Sequence, residues 1–334
     1  ASQASFEIVA INDLGNLDPN LDKYPWPDRP LYYDRYPLMA NFAVKRFLTQ
    51  RGCPYNCAYC FEHVFKAMYK DKGKLIRRHS VSYVLGEIKS IISKYPTKLI
   101  HFPDDTFNFD RAWIMDFVVR YKKEINLPFT CNICVLGMDE EMIKALKEAG
   151  CCGVSFGLEH GMEKIRMSAY LNKKIPDRYY LDVTKLLHKY KIKFLANTML
   201  CLPNESLDDA IESLRFAKIL KPYSVRPSVL KIYKGTDLSR LVVQNKLCDG
   251  IGEFTYKCKD VYGDFDKIRN LMWLSNAFVK IPFLLRFAKK VLSLRIARWF
   301  EPLTLLDHRR EAKFFHTPLI ESFQYFWQSR RIFL

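Results

Sequence analysis

Residues 44–60 have the sequence Val-Lys-Arg-Phe-Leu-Thr-Gln-Arg-Gly-Cys-Pro-Tyr-Asn-Cys-Ala-Tyr-Cys, a short strand-like run followed at once by Cys53, Cys57 and Cys60. Cysteine thiolates normally hold all four irons of a cubane [4Fe–4S] cluster. This loop offers three thiolates, so the spacing predicts a cluster whose fourth iron is open to a small molecule. A zinc site is disfavoured, because zinc ligands usually come as two separated pairs and no second pair flanks the loop.

Strand-like runs alternate with helical patterns six times along the chain, which predicts a parallel βα sheet. The predicted strands are Val44–Thr49, Lys98–Phe102, Phe129–Val135, Gly153–Gly157, Lys193–Leu200 and Ser224–Ile232. Side chains that can cap the first turn of a helix are Ser80, Asp110, Asp139, Asp177 and Ser206, and Gly150 is predicted to end a helix. Six such units form three quarters of a barrel, so the predicted fold is α/β, a partial (β/α)6 TIM-like barrel.

Polar side chains follow several of the predicted strands. The cysteine loop follows the first strand, Asp104 and Asp105 follow the second, Glu159 follows the fourth, and the turn from Leu202 to Glu205 follows the fifth. Functional residues of such barrels gather at the carboxyl ends of the strands. We therefore expect one mouth of the barrel to collect all of these groups.

The ordered motifs resemble those of the radical S-adenosylmethionine (radical SAM) superfamily, and especially its subfamily with an upstream cobalamin-binding domain. The resemblance runs from about Leu21 to Leu238. Its matching segments are residues 21–29, 53–60, 76–80, 100–107, 146–151, 157–161, 202–205 and 234–236. Together they are more specific than the cysteine triplet alone.

The resemblance implies a reaction and its cofactors. The open iron of a [4Fe–4S] cluster would chelate S-adenosylmethionine (SAM), and an electron would cleave the sulfonium bond to release a 5′-deoxyadenosyl radical. The product would arise by methyl transfer or rearrangement at an unactivated carbon, with a reductant such as flavodoxin or ferredoxin. Cobalamin could take part through an upstream domain. The alternatives are a cobalamin-independent radical SAM enzyme and a non-catalytic iron–sulfur electron-transfer protein.

The resemblance also implies roles for individual residues. Asp104 or Asp105 would receive the ammonium of SAM, or else cap the helix that follows. Glu159 would hydrogen-bond the ribose hydroxyls, or else be a surface carboxylate. Arg166 would reach the carboxylate of SAM with its fork of donors, or else be exposed.

Other positions near the mouth carry weaker expectations. The backbone of Tyr59 would meet adenine, or its ring would pack under the loop, and Leu202 and Glu205 belong to the turn near SAM. Members of the superfamily commonly carry glycine where this chain has Cys201 and Asn204, which weakens the adenine and ribose contacts there. His63 and His101 are candidate proton donors or acceptors, although a lone histidine is usually a hydrogen-bonded structural residue.

The remaining cysteines are expected to be structural. Three residues apart on a strand, Cys131 and Cys134 point to opposite faces and are predicted to be small buried hydrophobes, as are Cys151 and Cys152. Cys248 and Cys258 are too few for a second cluster. Ten cysteines without a regular framework favour a reducing compartment, so we predict a cytoplasmic location.

Composition suggests a domain organisation. The 334 residues are 49% hydrophobic and contain no uninterrupted apolar run of membrane-spanning length. We predict a linker from an upstream domain at 1–42, a core at 43–240 and a helical, basic extension at 241–334. The net charge of +17 suggests an anionic partner. Nucleic acid is disfavoured, because the basic residues are dispersed and no RNA-binding module is present.

The extension contains an amphipathic pattern from Pro282 to Phe300. Arg286, Lys289 and Lys290 share one helical face, opposite a face formed by Leu284, Phe287, Ala288 and Val291. One interpretation is a helix packed on the side of the barrel. The other is an interfacial helix on an anionic membrane, which would give peripheral membrane contact and access to a lipid substrate rather than another small molecule.

Overall fold

The structure, a computed structural model, describes residues 12–252, 254–293 and Phe314. Its strands are β1 (Val44–Arg46), β2 (Gln50–Arg51), β3 (Arg77–Arg78), β4 (Leu99–Phe102), β5 (Phe129–Asn132), β6 (Cys151–Glu159), β7 (Lys193–Leu200), β8 (Ser224–Val229), β9 (Ile232–Tyr233), β10 (Cys248–Ile251) and β11 (Thr255–Cys258). A 3-10 turn covers Leu21–Lys23. The α-helices are α1 (Pro30–Tyr33), α2 (Pro37–Asn41), α3 (Phe61–Met68), α4 (Val81–Ile92), α5 (Arg111–Glu124), α6 (Glu140–Glu148), α7 (Glu163–Arg166), α8 (Asp177–Lys189), α9 (Leu207–Leu220), α10 (Asp237–Gln244), α11 (Phe265–Lys280), α12 (Pro282–Arg286) and α13 (Ala288–Ser293).

The central sheet is parallel and has six strands in the order β1-β4-β5-β6-β7-β8. Among the described residues, the edge strands β1 and β8 do not pair with each other, so the curled sheet remains an open, partial TIM-like barrel. This confirms the predicted fold class. The order follows the chain, as expected when each crossover is a helix that returns to the adjacent strand.

Several strand boundaries differ from the prediction. The first strand stops at Arg46, and β2 leaves it to pair with β3. The third stops at Asn132, whereas the fourth extends to Cys151–Glu159. The predicted sixth strand is divided, because β9 turns away to join β10 and β11 in a small antiparallel sheet. Apolar runs alone do not show where a strand changes its partner.

Helix caps were predicted correctly at four of five positions. Ser80, Asp110, Asp139 and Ser206 each accept a hydrogen bond from a backbone N–H in the first turn of the helix that follows. Asp177 was wrong as a cap, since Pro176 occupies the N-cap position and Asp177 is the first helical residue. Gly150 has φ +104° after α6, in the left-handed region expected at a helix end.

The core lies between the sheet and its outer helices. An aromatic cluster formed by Phe102, Phe107, Phe117, Tyr121 and Phe129 joins β4 and β5 to α5, with ring centroids 5.0–6.3 Å apart. All five side chains are fully buried. Aromatic burial of this extent stabilises the sheet strongly and fixes the strand ends that carry the polar mouth.

The N-terminal segment is fastened to α4. The Asp22 carboxylate accepts from the backbone N–H of Ser80 and contacts His79 Nδ1 at 2.9 Å. The Trp26 ring packs so closely on Gly86 that an added Cβ there would lie 2.6 Å from the nearest ring atom. Arg29 pairs with the buried Glu87 at 2.9 Å. The segment predicted as a linker is thus packed against the barrel over these residues.

The C-terminal extension, predicted as helical over 241–334, is not wholly helical, because β10 and β11 follow the end of α10 within it. Helix α11 packs on α9 and β8, and α12 and α13 follow it. Leu285, Ala288 and Leu292 of this pair are buried in the main core, which supports the packed interpretation of the amphipathic pattern. Residues 294–300 of this amphipathic pattern lie outside the described part of the chain. No helix among the described residues is long and apolar enough to cross a membrane.

Candidate functional site

A cavity of about 450 Å³ opens at the carboxyl end of the central sheet, and Cys53, Cys57 and Cys60 line it together. Asp105 and Thr106 from the loop after β4 and Glu159 at the end of β6 line the same cavity. The predicted convergence of the first, second and fourth strand ends at one mouth is therefore present.

The cysteine loop is held by contacts to its backbone. It begins at Gly52, whose φ is +85° and whose added Cβ would lie 2.7 Å from the Leu75 carbonyl oxygen. The Glu62 carboxylate accepts from Cys53 N–H at 3.1 Å, and Lys66 Nζ donates to the Tyr55 carbonyl at 2.6 Å. These bonds shape the loop without using the thiols.

His63 also supports this loop. Its Nδ1 lies 3.1 Å from the Cys57 carbonyl oxygen, and its Nε2 accepts from Asp237 N–H at 3.0 Å. The second bond requires an unprotonated Nε2, so Nδ1 is the donor. With both nitrogens engaged by backbone, His63 has a structural role. His101 is buried, bonds to Thr130 Oγ1 at 2.9 Å, and has its pKa lowered to about 4 by burial.

The three thiols that line the cavity together are the donors that a cubane cluster takes. No three His, Cys, Asp or Glu side chains in the described ranges converge tightly enough to hold a single metal ion. A cubane places each cysteine on a different iron, so its three thiolates stand further apart than ligands of one ion. Burial raises the pKa of all three thiols, that of Cys57 to about 11, and iron must displace these protons when it binds.

One wall of the cavity carries a hydrogen-bonded group of three side chains. Tyr59 donates from its hydroxyl to Glu159 Oε1 at 2.9 Å, and Lys173 Nζ lies 2.7 Å from the same oxygen. Burial and the Glu159 charge raise the pKa of Tyr59, which stays a neutral donor. Burial alone would lower the pKa of Lys173, but the charge of Glu159, the neighbouring Tyr180 and Cys57, and the hydrogen bond to Glu159 together raise that pKa. A Cβ at Gly157 would collide with the Glu159 carboxylate, so this position must stay small.

The two aspartates after β4 have different surroundings. Asp104 is 1% exposed and accepts from Thr49 N–H (2.7 Å), Thr49 Oγ1 (3.0 Å) and Gln50 N–H (2.9 Å). It does not line the cavity. Asp105 does, and burial raises its pKa. Asp104 thus joins the loop after β4 to the start of β2, and Asp105 alone of the two faces the cavity.

Three further residues that the sequence placed near SAM do not line this cavity: Arg166, Leu202 and Glu205. Arg166 is fully buried, donates to the His160 carbonyl at 2.7 Å, pairs with Asp177, and lies over the Tyr180 ring. Of the two alternatives for Arg166, a SAM ligand or an exposed side chain, the exposed side chain was wrong. Its guanidinium is engaged by protein groups, which leaves the first part without support from the geometry.

The turn after β7 is held by Glu205, although one oxygen of this carboxylate lies close to His160 without forming a hydrogen bond. Glu205 Oε2 accepts from Leu202 N–H at 2.9 Å, and Oε1 lies 3.2 Å from His160 Nε2. Cys201 and Asn204 have φ of +60° and +59°, the left-handed conformation that glycine adopts most easily. The glycines that superfamily members carry at these positions therefore have a backbone explanation.

Three residues that line the cavity were not predicted as site residues: Lys173, Thr106 and Tyr55. The prediction for Cys134 was wrong. Cys131 is buried as predicted, but Cys134 is only half-buried, lines the cavity and contacts the Tyr55 hydroxyl. No motif marks Lys173, which follows Glu159 by 14 residues in a loop.

Comparisons with known proteins agree with this geometry. The model of the Radical SAM superfamily matches residues 47–217, just over half of the chain. An uncharacterized methyltransferase of Pyrococcus horikoshii is 30% identical over 68% of this chain and 48% of its own length. Cytidylyl-2-hydroxyethylphosphonate methyltransferase of Streptomyces wedmorensis is 28% identical over 46% of this chain and 27% of its own length.

A solved structure shares the fold. The radical SAM methyltransferase TsrM of Kitasatospora setae, determined with cobalamin and a [4Fe–4S] cluster bound, superposes with a TM-score of 0.53 at 18% identity, over 63% of this chain and 38% of TsrM. The chain thus spans less than half the length of these relatives. With the fold, the cysteine loop and the family match together, the chain belongs to the radical SAM superfamily. The family implies a [4Fe–4S] cluster and SAM, and a need for a substrate and a reductant.

Proposed function

We propose that this chain is the catalytic core of a radical SAM enzyme that transfers a methyl group to an unactivated carbon, or rearranges such a carbon. The observation that carries the proposal is the convergence of the three cysteines with Asp105, Glu159 and Lys173 in one cavity. Such a set combines a cluster-binding loop with charged groups of both signs, as a zwitterionic ligand requires.

Cys53, Cys57 and Cys60 would hold the cluster. When bound, the cluster and SAM together supply a 5′-deoxyadenosyl radical. The protein's part is to bind, orient and exclude water. Ile133, Val135 and Ile175 contribute apolar surface to the same cavity and would keep water from the reacting carbon.

SAM would be oriented by the cavity's charged side chains. Glu159, already fixed by Tyr59 and Lys173, would accept from the ribose hydroxyls. Asp105 would receive the ammonium, since Asp104 is engaged by Thr49 and Gln50. We assign the SAM carboxylate to Lys173 rather than to Arg166, because Lys173 lines the cavity and Arg166 does not.

Cobalamin assistance is supported by the relatives alone. TsrM binds cobalamin, and the chain covers only part of each relative, so a cobalamin domain would lie outside this chain. Methyl transfer is favoured over rearrangement because both curated relatives described above are methyltransferases.

Anaerobic reconstitution tests the proposal. The chain should take up about four irons and four sulfides, and with SAM and dithionite it should release 5′-deoxyadenosine. The Cys53→Ala/Cys57→Ala/Cys60→Ala variant should lose both, whereas Cys248→Ala, which does not line the cavity, should keep both. Four irons in the triple variant would refute the ligand assignment, and a loaded but inactive wild type would favour an electron-transfer role.

A further inference from the structure

We propose that the concave face of the central sheet binds the substrate through an oxyanion, a carboxylate or a phosphate, held by Arg46 of β1 and Arg226 of β8. The inference rests on the proposed function and names its substrate class: a molecule that carries an oxyanion apart from its reacting carbon. The oxyanion takes no part in making or breaking bonds and serves only to hold the substrate.

The two faces of the central sheet carry different side chains. Ile100 is buried in the core between the sheet and the outer helices, and its register partner Lys45 points to the same side, where its Nζ bonds to the Ala40 carbonyl at 2.7 Å. Because successive residues of a strand point to opposite faces, Arg46 and its register partner His101 point to the other side, the concave face of the curled sheet.

The concave face is polar along the middle of the strands. The polar side chains that alternate onto it are Arg46, His101, Thr130, Ser155, Asn197 and Arg226. His101 Nδ1 lies 2.9 Å from Thr130 Oγ1, and Asn197 Nδ2 donates to Ser155 Oγ at 3.0 Å. The interior of a closed TIM barrel is instead packed with bulky branched apolar side chains. A polar lining on this open barrel therefore favours contact with a polar ligand.

Arg46 and Arg226 lie on the two edge strands of the sheet, at either end of this polar layer. Burial is the main cause that lowers the pKa of His101, and the positive charges of the two arginines lower it further, so both guanidiniums are near the same imidazole. Arg46 is exposed, and no carboxylate among the described residues pairs with it. The planar fork of a guanidinium binds a carboxylate or a phosphate through parallel hydrogen bonds, which suits this layer to an oxyanion.

The polar layer lies between the cavity and Phe314. Towards the carboxyl ends of the strands, Gly157, the register partner of Asn197, lines the cavity, and the Glu159 carboxylate lies over it. Towards the amino ends, an added Cβ on Gly153 would collide with the buried ring of Phe314. A substrate held on this layer would therefore lie next to the cavity that we assign to SAM, with its remaining part directed to that cavity.

Calorimetric titration with hexanoate and with hexyl phosphate tests the inference without any measurement of turnover. Each probe joins a short apolar chain to one oxyanion and is titrated into the reconstituted protein at constant ionic strength, with and without SAM. Arg46→Gln and Arg226→Gln should each weaken binding about tenfold, because each removes a hydrogen bond between charged groups. Arg215→Gln is the matched control, since it makes the same change on the exposed outer side of α9.

The result in the wild type identifies the oxyanion. Binding of either probe supports the inference, and the one that binds more tightly distinguishes a carboxylate from a phosphate. If neither probe binds, or if the two variants lose no more affinity than Arg215→Gln, the oxyanion subsite is overturned. Wild-type protein that binds a probe but does not bind SAM would count against the proposed function and leave the subsite standing.

A second measurement keeps the test valid if a variant fails to fold. Phenylglyoxal labels arginine side chains, and mass spectrometry locates the label in the wild-type protein. A saturating concentration of the bound probe should protect Arg46 and Arg226 from labelling and leave Arg215 unprotected. Equal labelling of Arg46 and Arg226 with and without the probe would overturn the subsite.

Discussion

The two sides of the barrel mouth use charged residues in different ways. On the β4–β6 side, Asp105, Glu159 and Lys173 line the cavity, with side-chain atoms that a ligand can reach. On the side that contacts the turn after β7, the buried residues are Glu205 of that turn and His160 and Arg166, both of which follow β6. They contact one another or nearby backbone. Both sets follow strand ends, so position at a strand end does not by itself identify a ligand-binding residue. The cavity does.

Among the variants that test this difference, the largest loss of stability is expected on substitution of Arg166. Arg166→Met keeps the side-chain stem but leaves the His160 carbonyl and Asp177 without their donor. We expect a loss of about 2–4 kcal/mol in the free energy of unfolding, below the full value for a buried pair because Asp177 is 38% exposed. Urea denaturation measures it, with the exposed Arg178→Met as control. A loss equal to that of Arg178→Met would mean that the buried pair does not stabilise the fold.

The adjacent aspartates sharpen the comparison. Asp104→Asn should destabilise the fold by about 1–3 kcal/mol, because an amide cannot accept all the bonds that reach this carboxylate. Asp105→Asn should change stability by under about 0.5 kcal/mol but weaken SAM binding. Urea denaturation measures the stability of both variants, and calorimetry measures their affinity for SAM. If Asp104→Asn weakened SAM binding without loss of stability, our assignment of the two residues would be reversed.

Glu159 tests the cavity side directly. Glu159→Ala should weaken SAM binding by roughly 1–3 kcal/mol, the cost of leaving buried polar partners unpaired. Calorimetric titration of the reconstituted protein measures it. Glu163→Ala, at the start of α7 outside the cavity lining, provides a comparison at a nearby carboxylate. Unchanged affinity in the first variant would remove Glu159 from the SAM site.

The smallest effect is expected at α12 and α13, far from both sides of the mouth. Their buried face packs on the core, and Lys289 pairs with Asp208 at 2.7 Å between exposed side chains. Arg286→Glu/Lys289→Glu/Lys290→Glu should therefore leave flotation with anionic liposomes unchanged and alter stability by about 1 kcal/mol or less. Binding that rises with lipid charge and is abolished by the reversal would establish the interfacial helix instead.

The sequence predicted the barrel and the cysteine loop because both depend on local patterns. The alternation of strand and helix patterns, and helix caps such as Ser80 and Asp110, can be read from residues that are close together in the sequence. The difference between Asp104 and Asp105 is not, because it depends on which side of an extended chain faces the cavity. Lys173 was missed for a related reason: only the fold brings its loop to Glu159. The pairing of buried Arg166 with Asp177 was not predicted either, because Asp177 was expected to cap a helix.

The contacts of the N-terminal segment affect where the chain can be cut. The family match begins at residue 47, which invites a shortened version that starts there. Such a truncation would remove Trp26 from the surface over Gly86, remove Asp22 from Ser80, and leave Glu87, 4% exposed, without Arg29. It would also delete all of β1 and leave β4 as a bare edge strand, a feature that promotes aggregation. A shortened protein that keeps residues from Asp18 onward should remain dispersed where the family-bounded one precipitates.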